Sequence, residues 1–129
     1  MKKFRFHKSE RLKSSKEISS VFTDGSAIFK YPLKMHFLFW NSAENLNEKP
    51  KIAISIPKKR IRKAHNRNTL KRRVREAYRL NSHTFKHAAA VKNLVINIVF
   101  VYIATEMEDY HKIEKAVSSC LDELKQLYL

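Results

Sequence analysis

The spacing of apolar residues along this 129-residue chain changes several times, and each change marks an element. Ile18, Val21 and Phe22 recur at i, i+3 and i+4, with Ser14 or Ser15 available as N-cap and Gly25 able to stop the helix. From Leu33 to Trp40 the pattern alternates. Leu33, Met35, Phe37 and Phe39 share one face of a predicted strand, and Lys34, His36, Leu38 and Trp40 share the other. The stretch 41–50 is polar and reads as a connecting loop, and Ile52, Ala53, Ile54 and Ile56 form a further strand ended by Pro57. From Ala64 the period becomes helical again, with Leu70, Val74, Ala77 and Tyr78 at i, i+4, i+7 and i+8. His83 to Ala90 reads as weak helix or loop, and Leu94 to Tyr102 is a β-branched apolar run that suits a central strand. The last helix carries Tyr110, Ile113, Val117, Cys120, Leu121 and Leu124, with Thr105 and Glu108 as its capping box.

The order is α-β-β-(β)-α-β-α, which predicts an α+β fold, a single-domain α/β sandwich over residues 1–129. Residues 1–10 are expected to be a flexible basic N-terminus. The length suits one domain with a modest core, and no repeat or low-complexity tract interrupts it.

Charge changes the picture more than composition does. Lys and Arg number 27 against 12 acids, giving a net charge of +15, while the 43% apolar content is that of a folded protein. The charge therefore sits on a folded surface, and nucleic acid is the leading partner, ahead of an anionic membrane or an acidic protein. Eleven of the 27 basic residues fall between Lys58 and Arg79, against the single acid Glu76. Seven more lie in residues 2–16 beside Glu10 alone, and half of the 12 acids lie between Glu106 and Glu123. The lone Cys120 excludes an internal disulfide framework and suits a reducing compartment. No apolar run is long enough to cross a bilayer, so a cytoplasmic protein is expected, with no membrane association.

Helical phase separates the charge from the core. With Leu70 at zero and about 100 degrees per residue, Asn68, Lys71, Arg72, Arg75 and Arg79 fall between about 100 and 200 degrees. That is one cationic stripe opposite the apolar seam, suited to a row of phosphates, with Asn68 able to reach a base edge, a 2′-hydroxyl or a phosphate. Arg supplies a planar fork that grips phosphate bidentately. A merely solvated face would interleave both signs, and Glu76 lies off the stripe. Lys58, Lys59, Arg60, Arg62 and Lys63 crowd the strand-to-helix turn before it, although a Walker-type loop is excluded for want of its glycines.

Other chemistry is sparse. His83 and His87 are four apart, but no second pair completes a metal site, so both read as surface histidines. Cys120 reads as a small core residue. No Ser/His/Asp arrangement or paired carboxylate motif is present, and the basic region lacks the clustered carboxylates of a metal-dependent nuclease. These absences favour a protein that assists an RNA over a self-sufficient enzyme.

Lys58-Lys59, Ala64-His65, Arg67-Asn68, Lys71-Arg72 and Arg75-Glu76 together resemble the signature of the bacterial ribonuclease P protein component. The likeness covers nearly the whole chain, including Arg11-Leu12 leading to Val21-Phe22 and Gly25. One departure is Thr69, where the family has a third member of an Arg-Asn-Arg tripeptide; Arg73, one turn later, is expected to compensate. The resemblance implies the small subunit of a ribonucleoprotein that cuts the 5′ leader from precursor tRNA. Its large RNA subunit is then the catalyst and holds the essential Mg2+, and the partners are the ribonuclease P RNA and precursor tRNA, with no obligate protein partner. The RNA-binding residues implied are Lys58, Lys59, Arg60, Arg62, Arg67, Asn68, Lys71, Arg72, Arg75 and Arg79. A cleft formed by the first helix and the sheet would take the leader, with Ile18, Phe22 and His36 at the positions where the family carries aromatic residues. The resemblance also implies a left-handed strand–helix–strand crossover, against the usual rule. The rival reading is a structural RNA-binding protein, ribosomal in type, with no part in a reaction; a DNA-binding module is a third.

Overall fold

In a computed structural model, which describes residues 8–41 and 48–129, the β-branched run Leu94–Tyr102 forms strand β4, buried along nearly its whole length. Both of its faces are covered, so it reads as continuously apolar instead of alternating. It pairs antiparallel with β2 (Leu33–Asn41) and parallel with β3 (Lys51–Ser55), and β1 (Ser26–Lys30) pairs antiparallel with β2 at the outer edge. The sheet order is β1-β2-β4-β3, so β1 and β3 are the edges.

Helices cover both faces. Helix α1 (Ser15–Asp24) packs on β2 and β4 through a small cluster of Leu12, Val21 and Val99, with Ile18, Leu38, Ala53 and Val101 against it. Helices α2 (Ala64–Asn81), α3 (His83–Val91) and α4 (Tyr110–Tyr128) cover the other face. There the main core joins Leu33, Met35 and Phe37 of β2 and Ile96, Ile98 and Phe100 of β4 to the buried sides of the three helices. The α2–α3 pair is the crossover between the parallel strands β3 and β4.

Local chemistry explains the boundaries. Ser14 caps α1, its hydroxyl accepting from the Glu17 N–H at 3.2 Å. Gly25 ends the helix with φ −92°, so a left-handed turn is not the reason for glycine here. A Cβ at this position would run into the carbonyl oxygens of Phe37 and Val21, because the chain passes hard against β2 on leaving the helix. Strand β1 carries little periodic signal since Ile28 is its one buried residue.

Several expectations need correction. Residues 83–90 form a true helix, α3, because Phe85 and Ala89 on consecutive turns are both buried. Thr105 and Glu108 make no capping box. Asp109 caps α4, accepting from the Lys112 N–H at 2.9 Å. The preceding loop is gathered instead by the Tyr102 hydroxyl, which donates to the Glu106 carbonyl at 2.5 Å and accepts from the Glu108 N–H at 3.0 Å.

The expectation of a flexible terminus over residues 1–10 falls largely on residues that the structure does not describe. Residues 1–7 lie outside the described residues, as does most of the expected loop 41–50, namely 42–47. Lys8–Glu10, however, form a 3-10 turn in which Glu10 is fully buried and ion-paired with Lys86 of α3 at 2.6 Å. The Lys86 ammonium also lies 5.5 Å from the centre of the Tyr78 ring. Beyond Glu10 the Leu12 N–H donates to the Ile52 carbonyl at 2.8 Å, laying the segment along the edge of β3.

Two substitutions test this framework. Gly25→Ala is expected to cost about 1–3 kcal/mol, because backbone and not a flexible side chain must move. Lys86→Ala is expected to cost about 3–5 kcal/mol, since it strands a buried carboxylate. Denaturant melts of each variant check both; a loss under about 0.5 kcal/mol, within the range of ordinary surface substitutions, would contradict the packing described.

Candidate nucleic-acid interface

Leu70, Val74, Ala77 and Tyr78 are all fully buried, so the apolar seam of α2 is the side that faces the sheet. The opposite side carries Asn68, Lys71, Arg72 and Arg75, all exposed or half-exposed. Lys71, Arg72 and Arg75 have no carboxylate partner among the described residues. The stripe expected from helical phase therefore exists over its central turns.

Its margins differ from expectation. Arg79 is neutralised: its Nε donates to Glu76 Oε1 at 3.0 Å and its Nη2 to Oε2 at 2.6 Å. That bidentate bond lowers the Glu76 pKa and raises that of Arg79, so both stay charged and mutually engaged. At i, i+3 the two are helix neighbours, and the view of Glu76 as off the stripe missed its reach. Arg67 falls at about 60 degrees on the wheel, inside the apolar sector. Its Nη1 accordingly folds back to the Ile61 carbonyl at 3.0 Å and the Arg62 carbonyl at 2.6 Å, bracing the loop before the helix.

Thr69 and Arg73 do not form a compensating pair. The Thr69 hydroxyl donates back to the His65 carbonyl at 3.0 Å, within the helix. Arg73 Nη1 donates to the Glu108 carbonyl at 2.7 Å and so ties α2 to the loop before α4. Arg73 falls at about 300 degrees, the opposite margin of the seam, which turns it away from the stripe.

The loop leading into α2 supplies a second group of cations. Pro57 accepts from the Arg60 and Ile61 N–H groups, and buried Ile61 anchors the turn. Lys58, Lys59 and Arg62 are exposed and Arg60 is half-exposed. Lys63 stands at the N-cap of helix α2 without a side-chain capping bond, and the first turn carries no acid. The positive end of the helix dipole thus directly follows this cationic loop, an arrangement that favours phosphate.

Sequence reading missed two contributors. Arg11 and Lys13, held along the edge of β3, meet Lys71 and Arg75 around an open cavity of about 300 Å³. The signal was present as the basic run at the N-terminus, but nothing in the sequence said that Glu10 would anchor it.

On the far side of the sheet Phe22 and His36 form an aromatic corner, with ring centroids 4.6 Å apart and planes tilted by 58°. Phe22 is 46% exposed, so it is not a core residue. Burial and the nearby Lys34 ammonium lower the His36 pKa, leaving a neutral ring at pH 7. Ile18 takes another role, packing half-buried into the small cluster under α1. Trp40 lies farther along the same face of β2 and is 41% exposed.

Among the described residues, no three His, Cys, Asp or Glu side chains gather to hold a metal, and no helix is long and apolar enough to cross a membrane. Cys120 is buried, and burial pushes its thiol up to about 12.

A carboxylate-poor cationic helix lies on one side of the sheet and an exposed aromatic corner on the other, chemistry that suits phosphates and unpaired bases respectively and fits a nucleic-acid-binding class of protein. Residues 6–125 match the family model for ribonuclease P. A ribonuclease P protein component of Porphyromonas gingivalis is 36% identical over 118 residues, covering 92% of this chain and 85% of that one. Among solved structures, an RNase P protein of Staphylococcus aureus is 19% identical with a TM-score of 0.69 over 90% of this chain and 95% of that one. The RNase P protein of Thermotoga maritima is 22% identical with a TM-score of 0.65 over 93% and 99%. The chain belongs to the ribonuclease P protein family.

The division of the arginines can be measured. In binding to ribonuclease P RNA, Arg72→Gln is expected to reduce the slope of log K against log salt by about 1. Arg79→Gln should change it far less, because Glu76 already neutralises that charge. Equal changes in the two slopes would contradict the assignment.

Proposed function

We propose that this chain is the protein subunit of ribonuclease P, the ribonucleoprotein that endonucleolytically removes the 5′ leader from precursor tRNA, and that it binds both the catalytic RNA and the leader. The observation that carries the reading is the family match over residues 6–125, joined to a stripe of Lys71, Arg72 and Arg75 without opposing carboxylates among the described residues. Catalysis belongs to the RNA subunit, which also holds the Mg2+. The protein contributes cations where two RNAs approach, and this lowers their repulsion.

Two surfaces divide the work. The stripe of α2, the loop cations Lys58, Lys59, Arg60 and Arg62, and the start of α2 engage the ribonuclease P RNA through its phosphates. Arg67 acts indirectly by holding that loop in shape, and Arg79 contributes little net charge. The corner of Phe22 and His36 takes an unpaired leader base, an interaction worth roughly 1–3 kcal/mol by stacking. Mature tRNA lacks the leader and forgoes that contact, so precursor is held in preference to product. A purely structural RNA-binding role, the rival reading, predicts no such discrimination.

Reconstitution with a ribonuclease P RNA at low Mg2+ tests this directly. Adding the chain is expected to restore precursor cleavage, and no improvement would contradict the proposal. Phe22→Ala is expected to weaken precursor binding roughly tenfold, within the range of one lost stacking contact, and to leave mature tRNA binding unchanged. Equal losses for both ligands would remove Phe22 from the leader site.

A further inference from the structure

Phe29 is 58% exposed on an edge strand, where solvent-facing positions are usually polar or charged. Its surroundings give it a role. Cross-strand register pairs Phe29 with Lys34 and Ala27 with His36 on the face that carries α1. Phe29 is therefore the diagonal neighbour of His36, at about 7–8 Å between backbones, a gap that aromatic side chains reach across. Helix α1 packs on β2 and β4, while Ala27, Phe29 and Lys34 remain exposed. The aromatic corner of Phe22 and His36 thus opens sideways onto a second ring with an ammonium beside it.

We infer that Phe29 and Lys34 form a second nucleotide subsite, continuous with the Phe22–His36 corner, for one further base of a single-stranded RNA leader. The inference rests on the leader-cleft reading above and extends it. A base leaving the corner has the open floor of Ala27 to cross, since a methyl side chain leaves that position low. The next base then stacks on the Phe29 ring, and the linking phosphate lies within reach of Lys34. Stacking tolerates any base, because every base has a π face, so the subsite adds affinity without imposing a sequence. Charge complementarity favours RNA over an apolar protein partner, since the aromatic ring is flanked by a cation and the +15 chain as a whole attracts phosphate.

The test uses the reconstituted holoenzyme and precursor tRNAs whose leaders grow one nucleotide at a time. With the wild-type chain, affinity should rise in steps as each subsite is reached. Phe29→Ala is expected to erase one late step, a loss of roughly tenfold confined to the longer leaders. Phe29→Trp should retain that step, and Lys34→Gln should weaken the same long leaders and flatten their salt dependence. Phe29 is exposed, and an unchanged melting temperature confirms that the variant folds. A Phe29→Ala loss shared by all leader lengths and by mature tRNA, or no loss at all, overturns the subsite. Phe22→Ala distinguishes the two readings. If its loss is leader-specific while Phe29→Ala shows none, the subsite falls and the cleft stands; if neither is leader-specific, both fall.

Discussion

The rotation of α2 about its own axis decides which of its charges stand clear of the core, and that rotation is set by Leu70, Val74, Ala77 and Tyr78. Burying a Leu or Val side chain is worth about 1.5–3 kcal/mol, whereas an exposed ion pair is worth about 0–1 kcal/mol. The seam therefore outweighs every surface contact the helix makes, including the half-exposed Arg79–Glu76 pair. Once the seam is seated against the sheet, Lys71, Arg72 and Arg75 have to point away from it. Arg67, inside the apolar sector, and Arg73, at its margin, become braces for the loops on either side. One helix thus supplies core, struts and binding surface, sorted by angle alone.

The sheet keeps the cationic stripe and the aromatic corner apart while holding them in fixed relation. Its main core lies on the α2 and α4 side, and the smaller cluster under α1 occupies the other. At the β3 edge the two sides come together, where the buried Glu10–Lys86 pair brings Arg11 and Lys13 beside Lys71 and Arg75. Removing both partners of a buried pair is far less costly than removing one, so a stability role for this pair is not sufficient reason for its presence. Its geometric effect is clear: Glu10 is fixed against α3, and Arg11 to Lys13 follow it along the cationic edge of β3.

Elements with strong periodicity were legible in the sequence. The seam of α2, the buried face of α4 and the alternating β2 all stand where their spacing put them. Strand β1 and helix α3 were harder, because each buries only one or two residues and leaves the hydrophobic pattern thin. The false capping box at Thr105 shows the limit of local motifs. A hydroxyl at Tyr102, distant from the helix start in pattern but close in space, claims the loop and leaves Asp109 to cap. Among candidate site residues, helical phase found the stripe, but it could not see that Arg79 would turn to Glu76 or that Glu10 would recruit Arg11 and Lys13. Those depend on side-chain reach and on contacts between residues far apart in the chain.

Cys120 offers a direct route to the central claim, that the polar side of α2 faces the ribonuclease P RNA. The native thiol is buried and its pKa is pushed up to about 12, so a cysteine introduced on the surface is the only one that reacts readily. A hydroxyl-radical-generating iron chelate can be attached at Asn68→Cys on the stripe or at Asp122→Cys on the exposed side of α4, and each protein assembled with the RNA. Strong, localised RNA cleavage is expected from position 68 and little from position 122. Equal cleavage from both, or cleavage from position 122 alone, would contradict it.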